Sequence, residues 1–174
     1  MNLQFYLERL KDSEEFKKFI KENSKSFLCS GFFTIDFQGK DNQRHIDFYI
    51  PKKKEVVSFE IGSLDGEVKK IPAQGKFGTN IQQEFLEPKE IREDINFDLE
   101  DIEDLIKDEI EKHKVKGDLQ KIMVSLQDVK GRPLLVCTIF VSMFGLLKVN
   151  IDPKDKKVLL FEKKSFFDFV KKVK

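Results

Sequence analysis

Residues 27–61 read FLCSGFFTIDFQGKDNQRHIDFYIPKKKEVVSFEI, and this stretch decides the fold. Between 27 and 37, Phe27, Cys29, Phe33, Ile35 and Phe37 recur at every second position, with Gly31 completing the series. Ser30, Thr34 and Asp36 fall between them. A period of two predicts a strand with one buried face. The polar run 38–42 breaks the pattern, which resumes with Ile46, Phe48 and Ile50 directed inward. Pro51 and three lysines form a second break, and Val57, Phe59 and Ile61 supply a third apolar row. Turns this short join antiparallel neighbours, because a parallel pair needs a crossover of a dozen residues or more. The stretch therefore predicts a three-stranded antiparallel meander.

Working outward, residues 2–22 carry Leu3, Leu7 and Leu10, then Phe16, Phe19 and Ile20, at helical spacing. Ser13 followed by Glu14 and Glu15 has the form of a helix start, so a kink is expected near Asp12. Residues 62–97 hold several glycines and prolines and no long period. A short strand is expected near 68–71, a helical turn near 80–86, and this connection is expected to be the most mobile part of the chain. Asp98 then caps a helix whose buried stripe is Leu99, Ile102, Leu105, Ile106 and Ile110, with Gly117 as its expected stop. Strand patterns follow at 119–127, 133–142, 146–151 and 158–161, and Ser165 is expected to open a terminal helix through Val173. The fold class is α+β with antiparallel sheet, built as two helix-plus-meander units: αβββ over 1–61 and αββββ with a C-terminal helix over 98–174, joined by 62–97. Whether the strands make one sheet or two stays open.

The two units also echo one another in sequence. Residues 50–60, IPKKKEVVSFE, resemble residues 151–162, IDPKDKKVLLFE, with one inserted residue. In both, a strand ends at isoleucine, a Pro/Lys turn follows, and a short strand closes in Phe-Glu, which suggests a duplication.

The segment Ile151-Asp152-Pro153-Lys154-Asp155-Lys156-Lys157-Val158 with Glu162 resembles the end of the PepSY (peptidase propeptide) module, a helix followed by three antiparallel strands. The resemblance covers roughly 98–162 well and 3–61 more loosely. This turn lacks the glycine usual in that family and carries Lys156 or Lys157 instead. The same element order suits cystatin-like folds. The resemblance implies a binding or inhibitory module without chemistry of its own, and PepSY modules tend to lie outside the cytoplasm.

The 174-residue chain holds 32 basic and 31 acidic side chains, but unevenly. Residues 1–61 have 11 basic and 10 acidic groups, residues 62–112 have 7 and 15, and residues 113–174 have 14 and 6. Opposed blocks of this kind pair within a chain or across a homodimer interface. Only Arg9, Arg44, Arg92 and Arg132 are arginine, which argues against specific nucleic-acid recognition. Two cysteines, Cys29 and Cys137, are too few for a disulfide scaffold or a four-thiolate zinc site. With no basic-then-apolar leader at the N-terminus, they point to a reducing, cytoplasmic setting. Most of the 18 phenylalanines read as core.

Candidate chemistry is sparse. Asp101, Asp104 and Asp108 share a helix face and could meet a hard cation, but a solvated acidic face explains them, as it does the neighbouring Asp98, Glu100, Glu103, Glu109 and Glu111. Glu109 and His113 stand at i, i+4, where a metal pair or a helix-terminal histidine both fit. His45, Asp47 and Tyr49 share a strand face without any nucleophile motif. Gly75-Lys76-Phe77-Gly78 matches the short GxxG of KH modules but lacks its helix–loop–helix setting. No phosphate-cradling or dinucleotide glycine motif occurs, so no cofactor, metal or catalytic residue is assigned. The apolar run 134–147 is too short to span a membrane as a helix and predicts a central strand and a turn covered on both faces, by packed helices or by a sheet face used for dimerisation. The apolar, basic end 165–172 could dip into an anionic surface or dock on the sheet. The expectation is a non-enzymatic module that binds a protein or peptide through a sheet face or an edge strand. The alternatives are a small-molecule binder or small enzyme with a pocket closed by 62–97, or a membrane-surface or nucleic-acid adaptor using the lysine-rich last third.

Overall fold

The structure is a computed structural model that describes residues 2–39, 41–62, 67–71, 87–142 and 145–165. It is an α+β fold with three helices and one eight-stranded antiparallel sheet. The helices are α1 (Leu3–Asp12), α2 (Glu14–Glu22) and α3 (Leu99–Lys112). The strands are β1 (Phe27–Asp36), β2 (Arg44–Ile50), β3 (Glu55–Ile61), β4 (Val68–Ile71), β5 (Leu119–Val129), β6 (Arg132–Val141), β7 (Gly145–Asp152) and β8 (Lys157–Ser165). Their order across the sheet is β4-β3-β2-β1-β5-β6-β7-β8. The two meanders thus share a single sheet, joined where β1 and β5 pair in the middle.

The helices form where apolar spacing and capping coincide. Ser13 ends α1 and starts α2: its amide donates to the Leu10 carbonyl, and its hydroxyl accepts from the Phe16 amide. Asn2 caps α1 and Asp98 caps α3 in the same way. The two caps lie side by side in an isolated antiparallel bridge, reinforced by Leu3 N–H donating to the Phe97 carbonyl at 3.0 Å. The helix α3 stops earlier than Gly117. Lys114 takes the left-handed conformation (φ 50°), with Val115 N–H bonded to the Ile110 carbonyl and Lys114 N–H to the Glu111 carbonyl, the paired closure of a Schellman motif. Gly117 serves another need: a Cβ there would lie 2.8 Å from the Ser142 carbonyl oxygen, and its own φ is +109°.

All three helices pack on one face of the sheet. There α1 and α2 cover the first meander, where Phe16 and Phe19 meet Phe48 and Phe59 in edge-on or tilted contacts at 4.9–6.1 Å. Tyr6 sits against Phe33, and Phe33 against Phe97. The helix α3 lies over the second meander, whose core row is Ile122, Val124, Leu126, Leu135, Cys137, Ile139, Leu147, Val149 and Ile151.

Four expectations need correction. A bulge at Cys29 shifts the register, so that Leu28 opposes Phe48 while Ser30 opposes Asp47. Leu28 consequently faces the core, and Phe27 and Cys29 do not share the row of Phe33 and Ile35. The strand β6 is not covered by helices on both faces: Leu135, Cys137, Ile139 and Val141 are buried, whereas Val136, Thr138 and Phe140 on the other side are half-buried. Ser165 ends β8 rather than opening a helix; its side chain and the expected helix beyond it lie outside the described residues. Finally, the sequence echo falls on the β2–β3 hairpin and the β7–β8 hairpin. Those are the second hairpin of one meander and the third of the other. What they share is turn chemistry, with Lys54 and Lys156 both left-handed at φ 54° and 50°.

The strand near 68–71 forms as β4. The helical turn expected at 80–86 lies outside the described residues.

Candidate functional site

Two surfaces merit attention: the sheet face opposite the helices, and a cleft at one end of the sheet. On this second face, helix-free among the described residues, the strand register sets side chains in rows. One row crosses the sheet as His45, Phe32, Ser125, Val136, Asn150 and Leu160, from β2 to β8. Another runs Asp36, Lys121, Phe140, Leu146 and Lys164. Apolar and aromatic side chains fill the middle of the face and charged ones sit among and around them. A shallow depression of about 340 Å³ indents it, lined by Asp36, Gln38, Gln120, Lys121, Met123 and Phe140. The Asn150 Oδ1 is buried and has no hydrogen-bond partner.

The cleft holds about 720 Å³ between residues 90–96 and the β5–β6 and β7–β8 turns. Residues 87–97 reach it by rounding the end of β1, where Ile91 N–H donates to the Leu28 carbonyl. Its charges largely satisfy one another or the turns. Arg92 pairs with Asp94 at 2.6 Å. Asp128 accepts from the Gly131 amide, and Asp152 from the amides of Lys154 and Asp155, which holds both turns in shape. Arg132 and Lys154 also line the cleft, beside Pro133 and Pro153.

The sequence-nominated groups fall elsewhere and into structural roles. Asp101 pairs with Lys156 at 2.6 Å, tying α3 to the β7–β8 turn. Glu103 pairs with Lys107 along the helix. Glu109 Oε1 meets Lys112, and Oε2 lies 3.2 Å from His113 Nε2. The hydrogen bond from Lys112, with the charges of Lys112 and His113, holds the Glu109 carboxyl below its ordinary range. His113 stacks flat on Phe161 of β8 at 4.1 Å and 9°, and Lys163 donates to the His113 carbonyl. This clamps the end of α3 to the sheet edge. Among the described residues, no group of three or more acidic, histidine or cysteine side chains is placed to hold a metal ion.

His45 contacts Phe32 and stands opposite Glu60 of β3. Asp47 accepts from the Ser30 hydroxyl at 2.6 Å. Cys29 Sγ donates to the Asp47 carbonyl, and burial first, then the Asp47 charge, pushes the thiol up to about 12. Burial alone does the same to Cys137. Both thiols are free, and β5 separates their strands. Tyr49 is buried against Phe27. Residues 75–78 lie outside the described residues. No helix among the described residues is long and apolar enough to cross a membrane.

Periodicity could not nominate the helix-free face, because its apolar side chains read as core until the strand order is known. The turn carboxylates of the cleft had a local signal in Asp152-Pro153 and Asp128-x-x-Gly131. What brings the two turns together is the sheet, which no local signal encodes.

No family model matches the chain, and no curated protein does. Among solved structures, the crystal structure of a candidate lipoprotein from Clostridium difficile 630 is similar. It shares 12% identity at a TM-score of 0.55, covering 87% of this chain and 91% of that one. At that identity the likeness is one of fold alone.

Proposed function

We infer that the chain is a non-enzymatic binding module that takes a protein partner on the helix-free face of its sheet. The observation that carries this is the one-sided cover of the eight-stranded sheet: every described helix packs on the same face, and Phe32, Val136, Phe140, Leu146 and Leu160 stand half-buried on the other. The face is favoured over the sheet edges because both edges are blunted. The edge strand β4 has four residues including Lys69 and Lys70; β8 is kinked by a bulge at Leu159 and carries Lys157, Lys163 and Lys164. Short strands, bulges and lysines all discourage strand addition. The binding role implied by the PepSY and cystatin resemblance agrees with this reading. The buried, free thiols agree with work in a reducing compartment, whereas the neighbour of similar fold is described as a candidate lipoprotein. Fractionation of source cells tests the compartment.

A second reading rests on the cleft, whose volume suits a small ligand. A photo-crosslinking residue placed at Val136, Leu159 or Arg132 in source cells distinguishes face, edge and cleft. The expected result is a reproducible protein adduct from position 136 and none from 159. Adducts confined to 132, or no adduct at 136, overturn the proposal.

A further inference from the structure

We propose that the partner on the helix-free face is a second copy of this chain, packed face to face about a two-fold axis running along β6. This rests on the sheet-face reading above and names its occupant. A two-fold along a strand lays that strand's outward row on itself and swaps its neighbours to left and right. The sheets then stack aligned, as in a β-sandwich.

The charges on the face select the axis. Set along β1, it would place Asp36 on Asp36; along β5, Lys121 on Lys121; along β7, Lys148 on Lys148. The strand β6 presents Leu134, Val136, Thr138 and Phe140, without charge. Its flanking rows then match. In the first row Val136 meets Val136, and Phe32 of one copy meets Leu160 of the other. Ser125 meets Asn150, whose Oδ1 is buried without a partner; rotation of that amide brings it to the Ser125 hydroxyl. In the second row Phe140 meets Phe140, and Asp36 of one copy meets Lys164 of the other, twice over. Leu146 and Lys164 of each copy point at the depression of the other, onto the Lys121 stem and the Asp36 carboxylate that line it. No like charges oppose one another in either row.

The acidic Asp36 belongs to the first meander and the basic Lys164 to the second, so each copy presents the complement of what it receives.

Sedimentation velocity of the full chain, from low to high micromolar, gives the test. The expected result is a reversible dimer of twice the 20.4 kDa chain mass. Val136→Asp sets two carboxylates against each other at the axis and should raise the dissociation constant about a hundredfold or more. Because that variant could also perturb the strand, a charge swap runs beside it. Asp36→Lys and Lys164→Asp should each weaken the dimer, by about fivefold. The double variant should restore it, with circular dichroism unchanged throughout. A chain that stays monomeric, or a dimer indifferent to these substitutions, overturns the proposal. Should the purified chain be monomeric while position 136 captures a different protein in cells, self-association fails and the sheet-face reading stands.

Discussion

Phe59 is fully buried where α2 crosses β2 and β3, within contact of Phe16, Phe19 and Phe48. Phe59→Ala should cost about 3–5 kcal/mol, since neighbours fixed in edge-on contacts cannot collapse into the gap. Urea denaturation measures it. The two thiols give a second expectation. Thiolate is the reactive form, and burial raises both groups to about 12. At neutral pH a disulfide reagent should therefore label neither Cys29 nor Cys137 in the native protein and both in denaturant. Labelling of native Cys29 would mean that the bulge around it opens. At this scale the core was legible where period two ran unbroken, as from Ile46 to Ile50. It failed at Cys29, because a bulge adds one residue and flips the facing without leaving a compositional mark.

Among the elements, the stop of α3 falls on Lys114 and not on Gly117, the residue that the spacing nominates. Lys114 holds the left-handed position with a side chain that prefers to avoid it. Lys114→Gly should stabilise by about 0.5–1 kcal/mol, the relief of strain exceeding the entropy added to the unfolded chain. Gly117→Ala should destabilise by about 2 kcal/mol or more, because its Cβ meets the Ser142 carbonyl. Thermal melts of the two variants should shift in opposite directions. A glycine at helix-stop spacing announces itself, and a lysine doing the same work does not.

The clamp of α3 on β8 gives a pH dependence with a definite sign. The Glu109 carboxyl is held below 4.5 in the folded chain by Lys112 and His113, so its contribution is present above that value. It is lost as pH falls through the lowered folded value. Acid titration of the native protein should loosen the end of α3 before the sheet, seen as faster amide exchange over residues 110–113 and altered His113 ring signals. Glu109→Gln should show the looser clamp at all pH values and flatten that titration.

For the molecule as a whole, the α+β class and every described strand could be read from residue spacing. What could not be read was their union. The pairing of β1 with β5 leaves no local trace, since it depends on residues far apart in sequence, and the helix-free face follows from that pairing. A truncation ending after β4 tests how far the first half depends on the second. Residues 1–71 keep α1, α2 and β1–β4 but expose the β1 edge and lose Phe97 from the core. This fragment should form aggregates larger than the dimer expected of the full chain, read by light scattering at equal concentration.

The same central seam sets a timetable for synthesis. Ser30 pairs with Gln127 and Asp36 with Lys121, so the ribosome completes the first meander long before β1 can acquire its second neighbour. At ordinary elongation rates the wait is on the order of ten seconds. During it, an apolar strand that ends as the middle of the sheet is an open edge, along a nascent chain crowded by others of its kind. The side-by-side caps Asn2 and Asp98 close only when residue 98 has emerged, so the first helix also waits for its anchor. Codon choice and chaperone access between residues 62 and 119 should therefore govern yield more than the stability of the finished fold does.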